Sequence, residues 1–335
     1  MKVNFLVLFS IFLFFCSCEK KPHITNIAFG SCSYEFDSIQ MWDNVVMLKP
    51  KAWVWVGDNI YGDTEDMTLM KSKYDQQKQR ASYQILRNSM EIYGIWDDHD
   101  YGIDNGGKEY VMKDESKDLM LEFLDVPSDA KVRDHKGAYQ SYTIEDKGLK
   151  IKLILLDTRY FRDSIIINPN KKAHSYYLPD MAGNFLGVEQ WQWLEKELED
   201  SDADVHLFGS GVPLIPLPKY EKWGNFPNER KRFLELIEKI KPARPIILSG
   251  DRHFAEFSKI ELKDPGYPLY EFTSSGLTHT VNPDHTEENS FRIGELIVKK
   301  NFGLINISHA GSDISIKMQI RGKDNQVYEE TLLEY

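Results

Sequence analysis

Short apolar runs recur along the chain, and several of them end at polar residues that can carry chemistry. The runs are rich in β-branched and aromatic residues and are bounded by glycine and aspartate, which predicts buried β-strands. They are KAWVWVGDNIYGD, MEIYGIWDDHDYG, LKIKLILLDTRYFRD, VHLFGSGVPLIP and RPIILSGDRHF.

Between these runs the apolar residues recur at helical spacing, which predicts helices at 69–89, 115–126, 187–201 and 228–241. Strands that alternate with helices predict an α/β sheet covered on both faces. The C-terminal third changes to strands joined by turns, and its last pair, broken at 322–325, predicts a β-hairpin. Because no linker, repeat or low-complexity segment divides the chain, we expect a single domain at 26–335.

The first residues, MKVNFLVLFSIFLFFCSC, place a lysine before an apolar run that ends in small residues. The run is too short for a membrane span, so it predicts a secretory signal at 1–17. The FCSC ending resembles a bacterial lipoprotein cleavage box, which implies a lipid on Cys18 and a short tether at 18–25. We therefore expect an exported periplasmic or cell-surface lipoprotein that is held to a membrane by this anchor. The alternatives are an ordinary signal peptide and an uncut N-terminal anchor.

The chain carries a formal net charge of −11 and has no basic run beyond short pairs such as Lys171-Lys172. This charge disfavours a general face for nucleic acid or anionic membranes, so we expect no specific nucleic-acid partner. An anionic substrate would need a local cation. Hydrophobic residues make up 41% and aromatic residues 13% of the chain, which is enough for a large core and an aromatic-lined cleft.

Cys32 is the one cysteine that the predicted processing leaves free, because Cys16 leaves with the signal and Cys18 carries the lipid. Export favours disulfides, yet Cys32 has no partner with which to form one. A lone cysteine is most often a small buried hydrophobic residue. The alternative is a thiolate that binds a metal.

Four strand ends carry aspartates, and tyrosine, histidine or arginine residues stand near these aspartates. They hold Asp58, Tyr61 and Asp63; Asp97, Asp98, His99 and Asp100; Asp157 and Arg159; and Asp251 and His253. A single aspartate at such a position commonly caps a helix or starts a turn. Several carboxylates that meet at the ends of neighbouring strands repel each other, and a multivalent cation relieves this repulsion. Oxygen donors suit Ca²⁺, Mg²⁺ or Fe³⁺, whereas thiolate, phenolate and imidazole favour a transition metal.

The chain resembles the PhoD-like alkaline phosphatases and phosphodiesterases over 27–280. The resemblance is carried, in order, by FGSC, VGDNIYGD, WDDHDYG, LLDTRYFR, LGVEQWQWLEKEL, WGNFPNERKRFLELI, LSGDRHF and FTSSGLTHT. It implies an α/β (α+β) fold, namely a metallophosphoesterase-like four-layer α/β/β/α sandwich in which helices flank two mixed β-sheets.

The same resemblance implies an active site that holds Fe³⁺ and Ca²⁺, with other divalent metals possible. Cys32 and Tyr61 match the family's cysteine and tyrosine iron ligands, and Asp58 matches the bridging carboxylate. Asp251 and His253 match the later GD-x-H motif. Taken alone, Tyr61 would be read as a core or rim aromatic.

Two further metal ligands are expected around the DDHDYG motif. Asp98 is one of them, and Asn105 is chosen over Asp104 as a calcium ligand. The order Asp104-Asn105 departs from the order in many family members, so either residue could serve.

His99 and Arg159 are the expected catalytic residues. His99 would protonate the leaving-group oxygen, and its alternative is a structural histidine held by aspartates. Arg159 would bind phosphate oxygens, and its alternative is a salt bridge to Asp157 or Asp163. Trp223 either lines the substrate cleft or forms an exposed packing lid.

The expected function is that of a monomeric, metal-dependent phosphoesterase that hydrolyses phosphate monoesters, diesters or both through a metal-activated water. One alternative is a phosphodiesterase for teichoic-type polymers, phospholipids or nucleotides. Another is a surface lipoprotein that binds a phosphate-bearing ligand without catalysis.

Overall fold

The structure is a computed structural model that describes residues 22–37, 40–170, 175–264 and 266–335. The predicted signal at 1–17, the lipid-bearing Cys18 and the Lys171-Lys172 pair lie outside the described residues. Within the described ranges, no helix is both long and apolar enough to cross a membrane.

The strands follow the predicted apolar runs closely. In chain order they are β1 (His23–Gly30), β2 (Ala52–Val56), β3 (Glu91–Ile95), β4 (Gln140–Asp146), β5 (Leu149–Leu155), β6 (Ile166–Ile167), β7 (Tyr177–Leu178), β8 (Val205–Ser210), β9 (Pro245–Ser249), β10 (Ala255–Glu261), β11 (Pro268–Ser274), β12 (Arg292–Ile297), β13 (Phe302–Ala310), β14 (Asp313–Arg321) and β15 (Val327–Leu332).

The helices lie between them. They are α1 (Trp42–Met47), α2 (Met67–Gln79), α3 (Ala81–Ser89), α4 (Asp98–Tyr101), α5 (Lys113–Phe123), α6 (Val188–Glu199) and α7 (Pro227–Ile240), with 3₁₀ turns at Lys131–Asp134, Trp223–Asn225 and Lys323–Asn325.

Two mixed sheets form the centre of the molecule. The first has the order β15-β14-β13-β1-β2-β3, in which β1, β2 and β3 are parallel and the other neighbours are antiparallel. The second has the order β12-β10-β11-β9-β8-β5-β4, with a parallel centre from β5 to β11. The sheets face each other, and the ring centroids of Phe29 in β1 and Phe272 in β11 lie 4.7 Å apart.

Helices cover the outer face of each sheet. Trp42 of α1 packs edge-on against Trp53 and Trp55 of β2, so the outer face of the first sheet is buried under indole rings. On the second sheet, α6 and α7 cover a separate apolar cluster that includes Trp191 and Phe233. The four-layer α/β/β/α sandwich is therefore confirmed, and the C-terminal hairpin forms as β14 and β15.

One predicted helix differs. The segment 69–89 forms two helices, because the backbone of Arg80 is extended with ψ 129° between α2 and α3. The guanidinium of Arg80 donates hydrogen bonds to the carbonyl oxygen of Glu35. The break contains no proline or glycine, and it coincides with this contact to the loop after β1.

Candidate active site

The parallel strands of both sheets deliver their carboxyl ends to the same region, and the chemistry-bearing residues follow those ends. Cys32, Asp58, Asp251 and His253 all have left-handed backbones, with φ of 61°, 48°, 70° and 56°. Residues with a Cβ adopt this conformation at a cost, and such strain gathers at functional sites. The backbone is thus bent at each strand end to aim these side chains inward.

Gly57 shows why the second strand ends as it does. Its φ is +99°, and a Cβ at this position would lie 2.3 Å from the Cβ of Asp97. The glycine therefore lets the loops after β2 and β3 touch. Asp100 joins the same two loops, because its carboxylate accepts hydrogen bonds from the backbone N–H groups of Asp58 and Asp97 at 3.1 and 2.7 Å.

Two groups of potential metal ligands share Asp58. One candidate ligand atom each from Cys32, Asp58 and His253 lie within 4.8 Å of one another, and the same holds for Asp58, Asp98 and His99. The Cys32 Sγ–Asp58 Oδ2 distance is 3.2 Å, and both residues are buried. Sequence positions as distant as Cys32 and His253 thus meet, as predicted.

The electrostatics of this cluster fit a bound cation. Burial, and then the neighbouring carboxylate of Asp98, raises the pKa of Asp58 well above its usual range, and Oδ1 of Asp58 has no hydrogen-bond partner among the described residues. Burial raises the pKa of Asp251 to about 7. Burial and the Asp58 carboxylate raise the pKa of the Cys32 thiol. A cation that bound here would favour the ionised form of each group and occupy the free lone pairs.

The donor set also contains neutral imidazole and phenol. Burial, followed by the neighbouring His279 and His99, lowers the pKa of His253 to about 3, so its ring is neutral and able to ligate metal. The Tyr61 Oη lies 3.2 Å from Nε2 of His253 and 2.9 Å from Nε2 of His279. Thiolate, phenolate and imidazole together suit a transition metal.

His279 was not among the residues expected from the sequence, although it stands inside the quoted FTSSGLTHT motif. The ring centroids of His279 and His253 are 4.4 Å apart, and its Nδ1 lies 3.0 Å from Oγ1 of Thr278. A histidine at the end of a motif shared with a metal-binding family was the available signal.

His99 lines the cavity beside this cluster. Its Nδ1 lies 2.8 Å from Oδ1 of Asp63, and its ring packs on Tyr61 with centroids 4.3 Å apart. Burial lowers the pKa of His99, but the hydrogen bond to Asp63 and the carboxylates of Asp58 and Asp98 outweigh it and raise the pKa to about 11. His99 is therefore protonated in this environment, with Asp63 as the orienting partner.

Arg159 requires a correction, because the structure does not place it in the cavity. It is fully buried, and its guanidinium pairs with Asp97 through Nε at 2.7 Å and with Glu221 through Nη1 at 2.9 Å. The expected salt-bridge partners also differ, since Asp157 accepts from the backbone N–H of Arg159 instead. Buried carboxylates therefore accept from Nε and Nη1 of Arg159, whereas its Nη2 has no hydrogen-bond partner among the described residues. A role for Arg159 in binding phosphate stays a prediction.

Asn105 and Asp104 both line the mouth of the cavity. The backbone N–H of Asn105 donates to Oδ2 of Asp98 at 2.7 Å, and the hydroxyl of Tyr177 donates to its Oδ1 at 3.4 Å. The loop is thus tied to one candidate ligand, while the choice between Asp104 and Asn105 as a calcium ligand stays a prediction.

The cavity above the cluster has a volume of about 760 Å³. It is lined by Asp58, Asp98, His99, Asp104, Asn105, Ile167, Asn168, Tyr176, Tyr177, Tyr220, Glu221, Asp251, Arg252, His253, Val281 and His285. Trp223 is not among them: it is fully buried and donates from Nε1 to Oγ of Ser210 at 3.1 Å, so it is neither a cleft residue nor an exposed lid.

Two facing mixed sheets, with helices outside and a cluster of carboxylate, imidazole and thiol groups at the strand ends, define a metallophosphoesterase-type fold. A sequence profile described as PhoD-like phosphatase matches residues 27–317. The chain therefore belongs to the PhoD-like phosphatase family, and the resemblance seen in its motifs is confirmed.

Individual relatives agree with this assignment. Alkaline phosphatase D of Bacillus subtilis (strain 168) is 23% identical over 284 residues, which cover 74% of this chain and 46% of that protein. The chain thus matches about half the length of that relative. A solved structure of PhoD superposes with a TM-score of 0.71 at 16% identity, covering 94% of this chain and 69% of the other. A dimetal phosphatase from Danio rerio gives a TM-score of 0.56 at 12% identity, covering 93% and 99%.

Proposed function

We propose that the protein is an exported, lipid-anchored, metal-dependent phosphoesterase that hydrolyses phosphate monoesters, diesters or both. The observation that carries the catalytic part is the position of Asp58 at the floor of the cavity, where it lies close to Cys32 and His253 on one side and to Asp98 on the other. Family membership supports the phosphoester substrate. Export and lipid attachment at Cys18 are supported by the sequence of the first residues alone.

The metals are proposed to be Fe³⁺ and Ca²⁺. Cys32, Asp58, Tyr61 and His253 offer the thiolate, carboxylate, phenolate and imidazole donors that suit iron. The remaining candidate ligands, Asp98, Asn105 and Asp251, all offer oxygen donors, which suit calcium. When bound, such cations stabilise negative charge on a phosphoryl group and make water acidic enough to act as a nucleophile near neutral pH.

His99 is proposed as the general acid that protonates the leaving oxygen. Its ring lines the cavity beside the metal-ligand cluster, and the Nδ1 contact with Asp63 leaves Nε2 as the nitrogen that can deliver the proton. Asp63 fixes the orientation of the ring and, by its charge, favours the protonated form that the step requires.

Asp63→Asn tests this arrangement. The substitution removes a contact that raises the pKa of His99, so that pKa falls. A general acid must be protonated, so activity is lost as pH rises through its pKa, and a lower pKa moves the alkaline limb of the pH–rate profile to lower pH. We expect this shift together with a fall in kcat of about 10- to 100-fold, which is part of the roughly 10²- to 10⁴-fold that a positioned general acid contributes. If Asp63→Asn leaves both the alkaline limb of the pH–rate profile and kcat unchanged, His99 has a structural role instead.

Chelation tests the function itself. Purified protein is assayed with p-nitrophenyl phosphate and with bis(p-nitrophenyl) phosphate, then treated with a chelator, assayed again, and finally supplied with iron and calcium. We expect turnover of at least one ester, loss after chelation and recovery with the metals, because nucleophile activation depends on them. Turnover that persists after verified metal removal contradicts the proposal. Phosphate binding without turnover supports the non-catalytic alternative.

A further inference from the structure

Tyr176 and Tyr220, together with Arg252, form an aromatic wall on one side of the cavity next to the metal-ligand cluster. The rings of Tyr176 and Tyr220 meet edge to face with centroids 5.1 Å apart, and the guanidinium of Arg252 lies 4.7 Å from the ring centroid of Tyr220. Arg252 follows Asp251 directly in the chain, so the wall begins at a candidate metal ligand. Both tyrosines line the cavity and remain partly exposed, by 36% and 41%.

The wall is held in place without a ligand. The backbone N–H of Tyr176 donates to the carbonyl of Lys219 at 2.9 Å. The buried Lys222 donates from Nζ to the carbonyl of Tyr220 at 2.9 Å and to Oγ of Ser175 at 3.1 Å, which joins the two segments that carry the tyrosines. A preformed aromatic surface binds a partner with less loss of conformational entropy.

The charge of the same cavity selects against anionic groups away from the cluster. Among the described residues that line it, Arg252 is the one lysine or arginine, and its guanidinium already pairs with Glu287 at 2.8 Å and Asp251 at 3.4 Å. The carboxylate of Asp104 also faces the cavity, whereas that of Glu221 is paired with Arg159 and Arg162. A leaving group with further phosphates would find no unpaired lysine or arginine among these lining residues, whereas an uncharged leaving group needs none.

The volume leaves room for such a group. A cavity of about 760 Å³ is in the range that accommodates drug-sized ligands, well beyond a phosphoryl group alone. An uncharged planar ring can pack against the exposed parts of the two tyrosine rings, beside Arg252 and Lys219, which lie over one ring each. Stacking on an aromatic side chain is available to every base, because every base has a π-face.

We propose that Tyr176 and Tyr220 form a leaving-group subsite for phosphoesters whose alcohol carries an uncharged aromatic ring, as a nucleoside does. This inference rests on the proposed phosphoesterase function and assigns it a substrate class. Tyr220 is the central residue, because it contacts both Tyr176 and Arg252.

Adenosine 5′-monophosphate and ribose 5-phosphate form a matched pair of substrates that differ by the base alone. We expect wild-type kcat/KM to favour the base-bearing ester by about tenfold, mostly through KM, in line with one stacked base. Tyr220→Ala should bring the ratio of the two kcat/KM values close to one, and Tyr220→Phe should keep it. Adenosine 3′,5′-bisphosphate, which keeps the base but adds a second phosphate on the ribose, should be a poorer substrate than the monophosphate.

Tyr335→Ala is the matched control. Tyr335 is 42% exposed, close to the value for Tyr220, and its ring packs on Tyr270 outside the cavity. The Tyr335→Ala variant should therefore keep the wild-type ratio. A wild-type ratio near one, or a ratio that Tyr220→Ala leaves unchanged, overturns the subsite.

Calorimetric binding of adenosine, with ribose as the comparison, separates this inference from the proposed function. If adenosine binds the wild type but not Tyr220→Ala, the subsite is supported even when no ester is hydrolysed. In that case the proposed function is wrong and the subsite is not. Adenosine binding that is absent, or equal in both proteins, overturns the subsite even if hydrolysis is observed.

Discussion

Replacing Cys32 with serine is expected to remove the iron from the protein and to lower kcat/KM at least about 100-fold. Loss of even an outer-shell partner of a metal ligand costs 10- to 100-fold, so loss of a ligand should cost more. Serine keeps the size of the side chain and its ability to donate to Asp58, but it removes the soft thiolate donor. Iron content and turnover are measured on the same preparation.

The thermal melt of the same variant distinguishes the metal-ligand role from the alternative in which Cys32 is only a small buried residue. If Cys32 were only a small buried residue, its replacement by serine would lower the melting temperature modestly and leave the metal content unchanged. The account therefore fails if Cys32→Ser keeps both its iron and its turnover. Cys32→Ala, which removes the polar atom as well, should lose iron to the same extent.

Asp58→Asn is expected to have the larger effect, because Asp58 lies beside the proposed iron ligands Cys32 and His253 and also beside the proposed calcium ligand Asp98. We expect loss of both metals and a fall in activity greater than that of Cys32→Ser. The amide keeps the shape of the side chain and an acceptor oxygen for Cys32, so a structural change does not explain the loss. Metal content by elemental analysis and turnover are the measurements.

A second prediction concerns the metal-free proteins, in which Asp58→Asn should raise thermal stability although it abolishes metal binding. In the folded protein the pKa of Asp58 lies well above the ordinary value of 3.8, first because of burial and then because of Asp98. An acid with a raised folded-state pKa destabilises the folded state once pH exceeds the ordinary pKa, since folding then opposes ionisation. Chelated Asp58→Asn should therefore melt at a higher temperature than chelated wild type at pH 8. This advantage should shrink as pH falls toward 4. A lower melting temperature of the variant at every pH would contradict the repulsive cluster.

Much of the fold could be predicted, because the apolar runs and helical spacing reflect burial directly. Alternation of strands and helices did not by itself distinguish one sheet from two, since the β1–β3 and β5–β9 segments both alternate with helices. The resemblance of the motifs supplied the two sheets. The break at Arg80 could not be predicted, because a distant carbonyl group, that of Glu35, stabilises it.

Some residues of the candidate site could likewise be predicted from the sequence, and others could not. Cys32, Asp58 and His253 directly follow strands or the turns after them, so strand order brings them together. Tyr220 and Glu221 come from a loop without a regular pattern, and only the tertiary fold shows that they line the cavity. Arg159 illustrates the remaining ambiguity: the sequence placed it at a strand end but did not show that its guanidinium is buried and pairs with Asp97 and Glu221.

Elemental analysis of the purified wild-type protein, paired with Cys32→Ser, is the most direct test of the shared metal cluster. The account predicts iron together with calcium in the wild type, at stoichiometric levels, and loss of the iron from the variant. Zinc alone would contradict the proposed metals but keep a metal centre. An active wild-type protein without bound metal would contradict the central claim.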